Sequence, residues 1–497
     1  MDALITRRSP PASVVSPVLT PWVRNPNWLT LPTVLATEQK FVGLHAIWPD
    51  SNFLAVSAAG AFTVNWGDGT VQNFAAGVVA QKQYDFNSPA FVGTDAGGAL
   101  PYRQAVVTIT PQSGQTLTIL SLNHRHTAMG VTIYCSGWLD MVISGPSLTN
   151  LSISSSSQNV NHLMLEQASL LSNNSASFFG VLTACRALRS IPTWFIRPSG
   201  AVNLNSMFKY CSSLQTAPMM NTQAVNNMSN MFSGCTSLQV VPLLNLQAVT
   251  STEQMFFDCI SLTNVPLLNT QSCTTMAGMF QNCMSLQTVP LLNMQSAINL
   301  SSMFANCSSL QTVPLFNTAT VTNMTSMFSS CISLLSVPLF NTAAVNNMTS
   351  MFYGCISLQA VPLFNTVAVT VMTSMFLGCI SLQTVPLFNT AAVVNMNSMF
   401  QSCSSLQLVP AFNMQAVPDG GMTNIFAACP SLLRIAMVGV RISFSVAGCK
   451  LSAAGLNEIY TNLATIAGRT ITVTSNWGTT GDNPAIATAK GWTVVGS

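Results

Sequence analysis

The sequence predicts a multidomain chain: a β-sandwich near the N-terminus, an α/β solenoid of 24-residue coils through the middle, and an α/β cap at the C-terminal end. Three observations carry this. Cysteine returns at every 24th position from Cys211 to Cys403, with looser copies at Cys185 and Cys429. On that register Met-Phe pairs recur from Met207-Phe208 to Met399-Phe400, as do a Ser-Leu pair, a Pro and an Asn. The patterning changes on both sides of this array. At 497 residues the chain exceeds what one compact core serves, and a strict period of this length means a stack of coils.

One coil can be read from Val321 to Asn341. Val321, Met324, Met327, Phe328 and Cys331 fall at spacings of three, four and seven, which predicts one face of a short helix. "SVPLFN" then reads as an extended rung, with Pro338 costing it one ladder hydrogen bond. Val337, Leu339 and Asn341 share one parity; Pro338, Phe340 and Thr342 take the other. The first set is expected to point inward, with the Asn amides forming a ladder at the turns. That assignment leaves an outward apolar column at Leu244, Leu268, Leu292, Phe316, Phe340, Phe364, Phe388 and Phe412. Three readings of it stay open: burial against sister chains, ligand contact, or a strand of the opposite parity. A single coil buries too little apolar surface to offset the ordering of its 24 residues, so stacking is obligatory. Nine or more coils at about 4.8 Å each give a rod on the order of 50 Å.

Composition narrows the function classes. Only 6% of residues are charged and the net charge is +3, which is no footprint for nucleic acid. Mean hydropathy is +0.43, yet no apolar run approaches the roughly 18 residues of a spanning helix. The first residues make a poor signal peptide, so export by the ordinary route is not expected. No Asp, Glu, Lys, Arg or His occurs from Cys259 to Pro418, and general acid–base chemistry has nothing to work with there. No phosphate-binding loop, dinucleotide fingerprint, nucleophile elbow or zinc-protease motif is present, and no cofactor is expected. His124 and His126, with His162 or Glu166, could be assembled into a metal site; they are read instead as ordinary surface or turn residues. The repeat cysteines lack CxxC pairs and lie on the inward face, so they are expected to be free, buried thiols. The "NMT" and "NMS" triplets are by-products of the repeat.

The flanks read differently. Residues 1–40 are Pro-rich, lack any period, and are expected to form an extended docking arm in which Arg7, Arg8, Trp22, Arg24 and Trp28 meet a larger particle. Residues 41–135 hold strand-like runs such as "GAFTVNWGDGTVQNF" bounded by turn residues, a β-sandwich signature. The solenoid is expected over 136–432. In 433–497, Leu456, Ile459, Tyr460 and Leu463 mark an amphipathic helix, "TITVTSN" a strand, Pro484–Lys490 a second short helix and "WTVV" a closing strand, together a cap.

Several of these pieces resemble known families. The repeat "MFxxCxSLxxVPxxNTxxVxxM", as at Met351 to Met372, closely resembles the BspA-like leucine-rich repeats of the DUF285 family, over about residues 178–432. The resemblance implies a right-handed solenoid used for adhesion or protein contact, although the Asp that commonly follows the strand in that family is absent. "VNWGDGT", Val64 to Thr70, with Tyr84 downstream, is similar to PKD-like immunoglobulin folds, which implies that Asp68 shapes a hairpin and Trp66 packs in the core. The last segment looks like the C-terminal ends of tailed-phage structural proteins.

Together these readings lead to the expectation of a non-enzymatic virion structural protein, a fibre or other appendage subunit that attaches to a host. Its expected partners are other virion proteins through the arm, sister chains in a homo-oligomer such as a trimer, and a host surface glycan or protein. Neither nucleic acid nor membrane insertion is expected. The expected place is the virion, assembled in the host cytoplasm. A capsid decoration protein and a bacterial cell-surface adhesin are the alternatives, and a polysaccharide hydrolase ranks last because it would want a carboxylate pair on the rod.

Overall fold

The computed structural model describes residues 22–50, 52–96, 102–129, 134–154, 160–196 and 202–497. Arg7 and Arg8 lie outside the described residues. The N-terminal part is built from β1 (Lys40–Ile47), β2 (Phe53–Ala59), β3 (Phe62–Asn65), β4 (Val71–Phe74), β5 (Ala80–Gln83), β6 (Arg103–Pro111), β7 (Ile119–Ser121), β8 (Tyr134–Cys135), β9 (Trp138–Ser144), β10 (Asn150–Ser152), β11 (Val160–Asn161) and β12 (Gln167–Ser172). They form a six-stranded sheet of order β12-β9-β1-β6-β3-β4 and a four-stranded sheet of order β10-β7-β2-β5. The larger sheet runs across residue 135, because β9 pairs antiparallel with β1 and parallel with β12. Parallel bridges Leu170↔Trp194 and Ser177↔Asn203 then pass the pairing on to the first coils.

The Trp66–Thr70 turn follows from its residues. The Asp68 carboxylate accepts from the Thr70 N–H at 3.0 Å and from its hydroxyl at 2.6 Å, a local turn built by a short acid. Gly67 and Gly69 take the positive φ values the turn requires, 78° and 87°. Although partial burial works against it, the Lys82 ammonium and Thr70 hold the Asp68 carboxyl below its usual range. Trp66 is buried, its indole N–H donating to Gln72 Oε1 at 2.7 Å and its carbonyl accepting from the Tyr84 hydroxyl at 2.9 Å.

Residues 22–39 fold back on the same chain. Arg24 pairs with Asp140 at 2.8 Å and also donates to the carbonyls of Trp28 and Leu29. The Trp22 indole donates to Glu166 and that of Trp28 to the Tyr102 hydroxyl. Trp28 packs with Leu44, Ala46 and Leu139 in a small second core on the larger sheet. The extended arm expected over 1–40 is therefore corrected for Trp22, Arg24 and Trp28: these side chains are engaged within the chain, because Glu166 and Asp140 offer carboxylates to Trp22 and Arg24, and Tyr102 and the small core take Trp28.

Beyond β13 (Val202–Asn203) and β14 (Val225–Asn227) the chain winds into the 24-residue coils, which stack parallel through bridges such as Asn299↔Asn323↔Asn347↔Val371↔Asn395. The expected helix on each coil is not there. Met324, Met327, Phe328 and Cys331 do face the core, but the segment is a string of tight turns. The N–H groups of Ser326, Phe328 and Ser330 donate to the carbonyls of Thr349, Met351 and Tyr353 in the next coil at 2.8, 3.0 and 2.6 Å. Those of Met327, Ser329 and Cys331 donate three residues back, to Met324, Ser326 and Phe328. Alternate N–H groups thus leave the coil, and Ser326 and Ser330 sit at positive φ, 55° and 59°, where no α-helix continues.

Inside, two phenylalanine ladders run along the axis. Phe208, Phe232 and their equivalents to Phe426 stack with centroids 5.5–6.1 Å apart. A second ladder runs over Phe316 to Phe412, with Phe316 stacked on Phe340 and Phe364 on Phe388 and Phe412 in turn, and it touches the first, as in the Phe328–Phe340 contact at 6.1 Å.

The C-terminal end keeps the parallel stacking. β15 (Leu408–Val409) pairs with β16 (Arg434–Ile435), and β17 (Phe444–Ser445), β18 (Arg469–Thr472) and β19 (Trp492–Val495) form a parallel sheet. The helices α1 (Ala453–Asn462) and α2 (Ala485–Thr488) fall where the sequence predicts them. The Ser452 side chain caps α1 by accepting from the Gly455 N–H. Among the described residues no helix is long and apolar enough to cross a membrane.

Candidate interaction surface

The rung geometry decides which side chains the rod presents. Val337 is buried, and so are Phe340 and Thr342, while Leu339 and Asn341 are exposed. Parity switches within Val337–Phe340 because the Phe340 N–H donates to the Pro338 carbonyl at 2.9 Å, closing a three-residue turn around Leu339. Phe364, Phe388 and Phe412 make the same bond to Pro362, Pro386 and Pro410. Proline favours this turn: it lacks an N–H for a ladder and fixes its own φ.

The expected outward column is thereby overturned. Leu244, Leu268, Leu292, Phe316, Phe340, Phe364, Phe388 and Phe412 are at most 2% exposed, so none is available to a partner. Asn341, expected inward, is exposed, and its side chain accepts from the Ala343 N–H at 3.1 Å, stapling its own turn. The inter-coil ladder belongs to the threonine that follows. Buried Thr318, Thr342, Thr366 and Thr390 donate to the carbonyls of Asn341, Asn365, Asn389 and Asn413 at 2.7–2.8 Å. This ladder was missed in the sequence; its signal was the "NT" pair recurring with the period.

The surface column is made by the residue before each Leu244-type position. It runs from Leu243, 71% exposed, every 24 residues to Leu387, 56% exposed. Phe195 and Met219 extend it toward the N-terminal end, where they line an open cleft with Trp194 and Met220. The positions beside it, such as Ser336 and Asn341, are polar and uncharged.

The thiols form a ladder of their own. Cys235 donates to the Phe208 carbonyl at 3.1 Å, and the pattern repeats through Cys403 and Phe376 at 3.0 Å. Apart from Cys135, whose side chain lies outside the described residues, every described cysteine is buried, and those from Cys211 onward are free thiols. Burial pushes the Cys355 thiol up to about 12 and raises its neighbours likewise. Such groups are hydrogen-bonded core, with no thiolate for nucleophilic or metal chemistry. The histidines are dispersed: His124 Nε2 pairs with Ser57 Oγ at 2.7 Å, and His126 Nδ1 accepts from the Ala128 N–H. His162 is buried between Ser136 and the Ile153 carbonyl. No group of three potential metal ligands occurs among the described residues.

A family profile described as "Mycoplasma protein of unknown function, DUF285" matches four overlapping stretches, 184–289, 243–336, 274–359 and 335–434, together just over half of the chain. The chain belongs to the DUF285 family. This DUF285 chain is therefore a BspA-like solenoid of leucine-rich-repeat type. It is similar to a leucine-rich repeat protein from Bacteroides ovatus, at 15% identity over 74% of this chain and 92% of that one, with a TM-score of 0.28. A leucine rich cell surface protein from Faecalibacterium prausnitzii is similar at 16% identity over 66% and 91%, with a TM-score of 0.33. A leucine-rich repeat protein from Eubacterium ventriosum is similar at 12% identity over 66% and 84%, with a TM-score of 0.31. No curated protein matches the DUF285 chain.

Proposed function

We propose that this DUF285 protein is a non-enzymatic contact scaffold: a structural subunit of a tailed-phage virion, of fibre or appendage type, whose solenoid meets the host surface. One observation carries the non-catalytic part. The array from Cys259 to Pro418 has no acid, base or histidine and its repeat thiols are buried, so what it offers a partner is shape and apolar contact. The virion assignment is supported by the resemblance of 433–497 to tailed-phage structural proteins. The PKD-like reading of 41–135 is supported by buried Trp66 and its bond from Tyr84. In this reading residues 1–21 carry the attachment to other virion proteins, since Trp22 onward are occupied within the chain. A host glycan or protein is the distal partner, and the chain needs no cofactor.

Membership of DUF285 favours a second reading, a cell-surface adhesin with the same rod. Electron microscopy with antibody against the full-length chain separates the two. Label on tail or capsid of purified particles is expected, and its position distinguishes an appendage from a decoration protein. Label on cell envelopes and none on particles would overturn the virion assignment.

A further inference from the structure

We propose that the leucine ridge from Leu243 to Leu387 is a homotypic interface, covered by the same ridge of a second copy of this chain. The proposal stands independently of the host-contact reading.

The ridge is a continuous apolar strip, one large side chain per coil, each more than half exposed. At roughly 100 Å² of exposed surface per leucine, seven coils supply on the order of 700 Å². That exceeds the few hundred Å² at which an apolar patch marks an interaction site, and it approaches the ~800 Å² per partner of a standard interface.

Three features select a second copy as the occupant. The first is period. Side chains repeat once per coil, so a partner can seat a leucine between each successive pair only if it carries the same spacing over the same length, which an identical coil array does. The second is charge. Between Cys259 and Pro418 neither face bears a charge, so like meets like without repulsion, whereas an anionic or cationic partner finds no counter-charge. The third is side-chain chemistry. From Leu243 to Leu387 the ridge has no aromatic ring on which a sugar could stack, and no lysine or arginine lies between Cys259 and Pro418 to hold a lipid headgroup. The ends of the strip fix the register. Ala411 replaces leucine at the C-terminal end, so sliding by one coil sets a leucine against that alanine.

The test uses the full-length chain. Sedimentation equilibrium at micromolar concentration should give a multiple of the 52.9 kDa chain mass. Leu315→Asp with Leu363→Asp places two charges on the strip, at side chains 59% exposed in each case. This variant should run at the monomer mass with an unchanged circular dichroism spectrum. Loss of apparent affinity is expected to be at least a hundredfold. A second variant, Leu315→Ser with Leu363→Ser, introduces no buried charge and should weaken association by a smaller factor, which guards against misfolding as the cause. A wild-type chain that stays monomeric, or an aspartate variant of unchanged oligomeric mass, overturns the proposal. A monomer that floats with phosphatidylcholine vesicles overturns it too, and gives the ridge to a lipid surface.

Discussion

Adjacent residues on one rung provide the sharpest test of the coil geometry. Phe340 is 2% exposed, stacked on Phe316 at 6.1 Å and against Phe328 at 6.1 Å; Leu339 is 58% exposed. Phe340→Ala removes a ring from the second ladder along with its contact to the first, and opens a cavity between coils that cannot collapse, since each coil is tied to its neighbours by backbone bonds. A phenylalanine truncated in a core costs about 3–5 kcal/mol, and the crowded position of Phe340 argues for the upper half of that range. Leu339→Ser deletes an exposed side chain and should change stability by about 0.5 kcal/mol or less. Both are measured by urea denaturation in the dilute, monomeric regime, so that association through the ridge does not enter. In an array whose stability is a sum of neighbour interfaces, a loss of about 4 kcal/mol at one coil should also split the unfolding curve, with the two flanking blocks melting separately. If Leu339→Ser destabilises as much as Phe340→Ala, the turn around Leu339 is wrong and the alternating strand is right.

Burial elsewhere in the chain has consequences of the same kind. Iodoacetamide at pH 8 should label the repeat cysteines slowly in the native chain and completely in urea, because burial disfavours their thiolates; rapid native labelling would refute the thiol ladder. His45 and His162 are held neutral by burial, their values pushed down to about 3 and about 4 from 6.5. Unfolding frees them to bind protons below pH 6.5, so stability should be full above that pH and fall as pH drops toward 4, read by thermal melts. A melting temperature flat from pH 7 to 4 would contradict their burial. Arg24→Ala leaves Asp140, whose side chain is 2% exposed, without its cation. It should cost about 3 kcal/mol, followed as quenching of tryptophan fluorescence from the N-terminal sheets during urea unfolding.

The period, the buried Met, Phe and Cys positions and the C-terminal helices were legible because burial repeats in the residue pattern itself. The helix was misread because spacings of three, four and seven suit a string of three-residue turns as well as an α-helix. What separates them is the left-handed backbone at Ser326 and Ser330, which residue type does not announce. Rung parity failed at Pro338: alternation assumes an unbroken strand, and one tight turn exchanges inside for outside. The ridge followed from that exchange. The engagement of Trp22, Arg24 and Trp28 depends on Asp140, Glu166 and Tyr102, more than 70 residues away, and separations of that kind leave no trace in local composition.

From Phe316 to Phe412 each coil hands its neighbour the same set of contacts: alternate N–H groups, a threonine hydroxyl, a thiol and two rings. A coil inserted or deleted as a 24-residue unit would leave each remaining junction with the partners it already has. The N-terminal sheets and the C-terminal parallel strands would meet the array as before. Length is therefore separable from folding in this protein. The gene can lengthen or shorten the rod in steps of about 4.8 Å by unequal recombination between near-identical repeats, adjusting reach without redesigning either end.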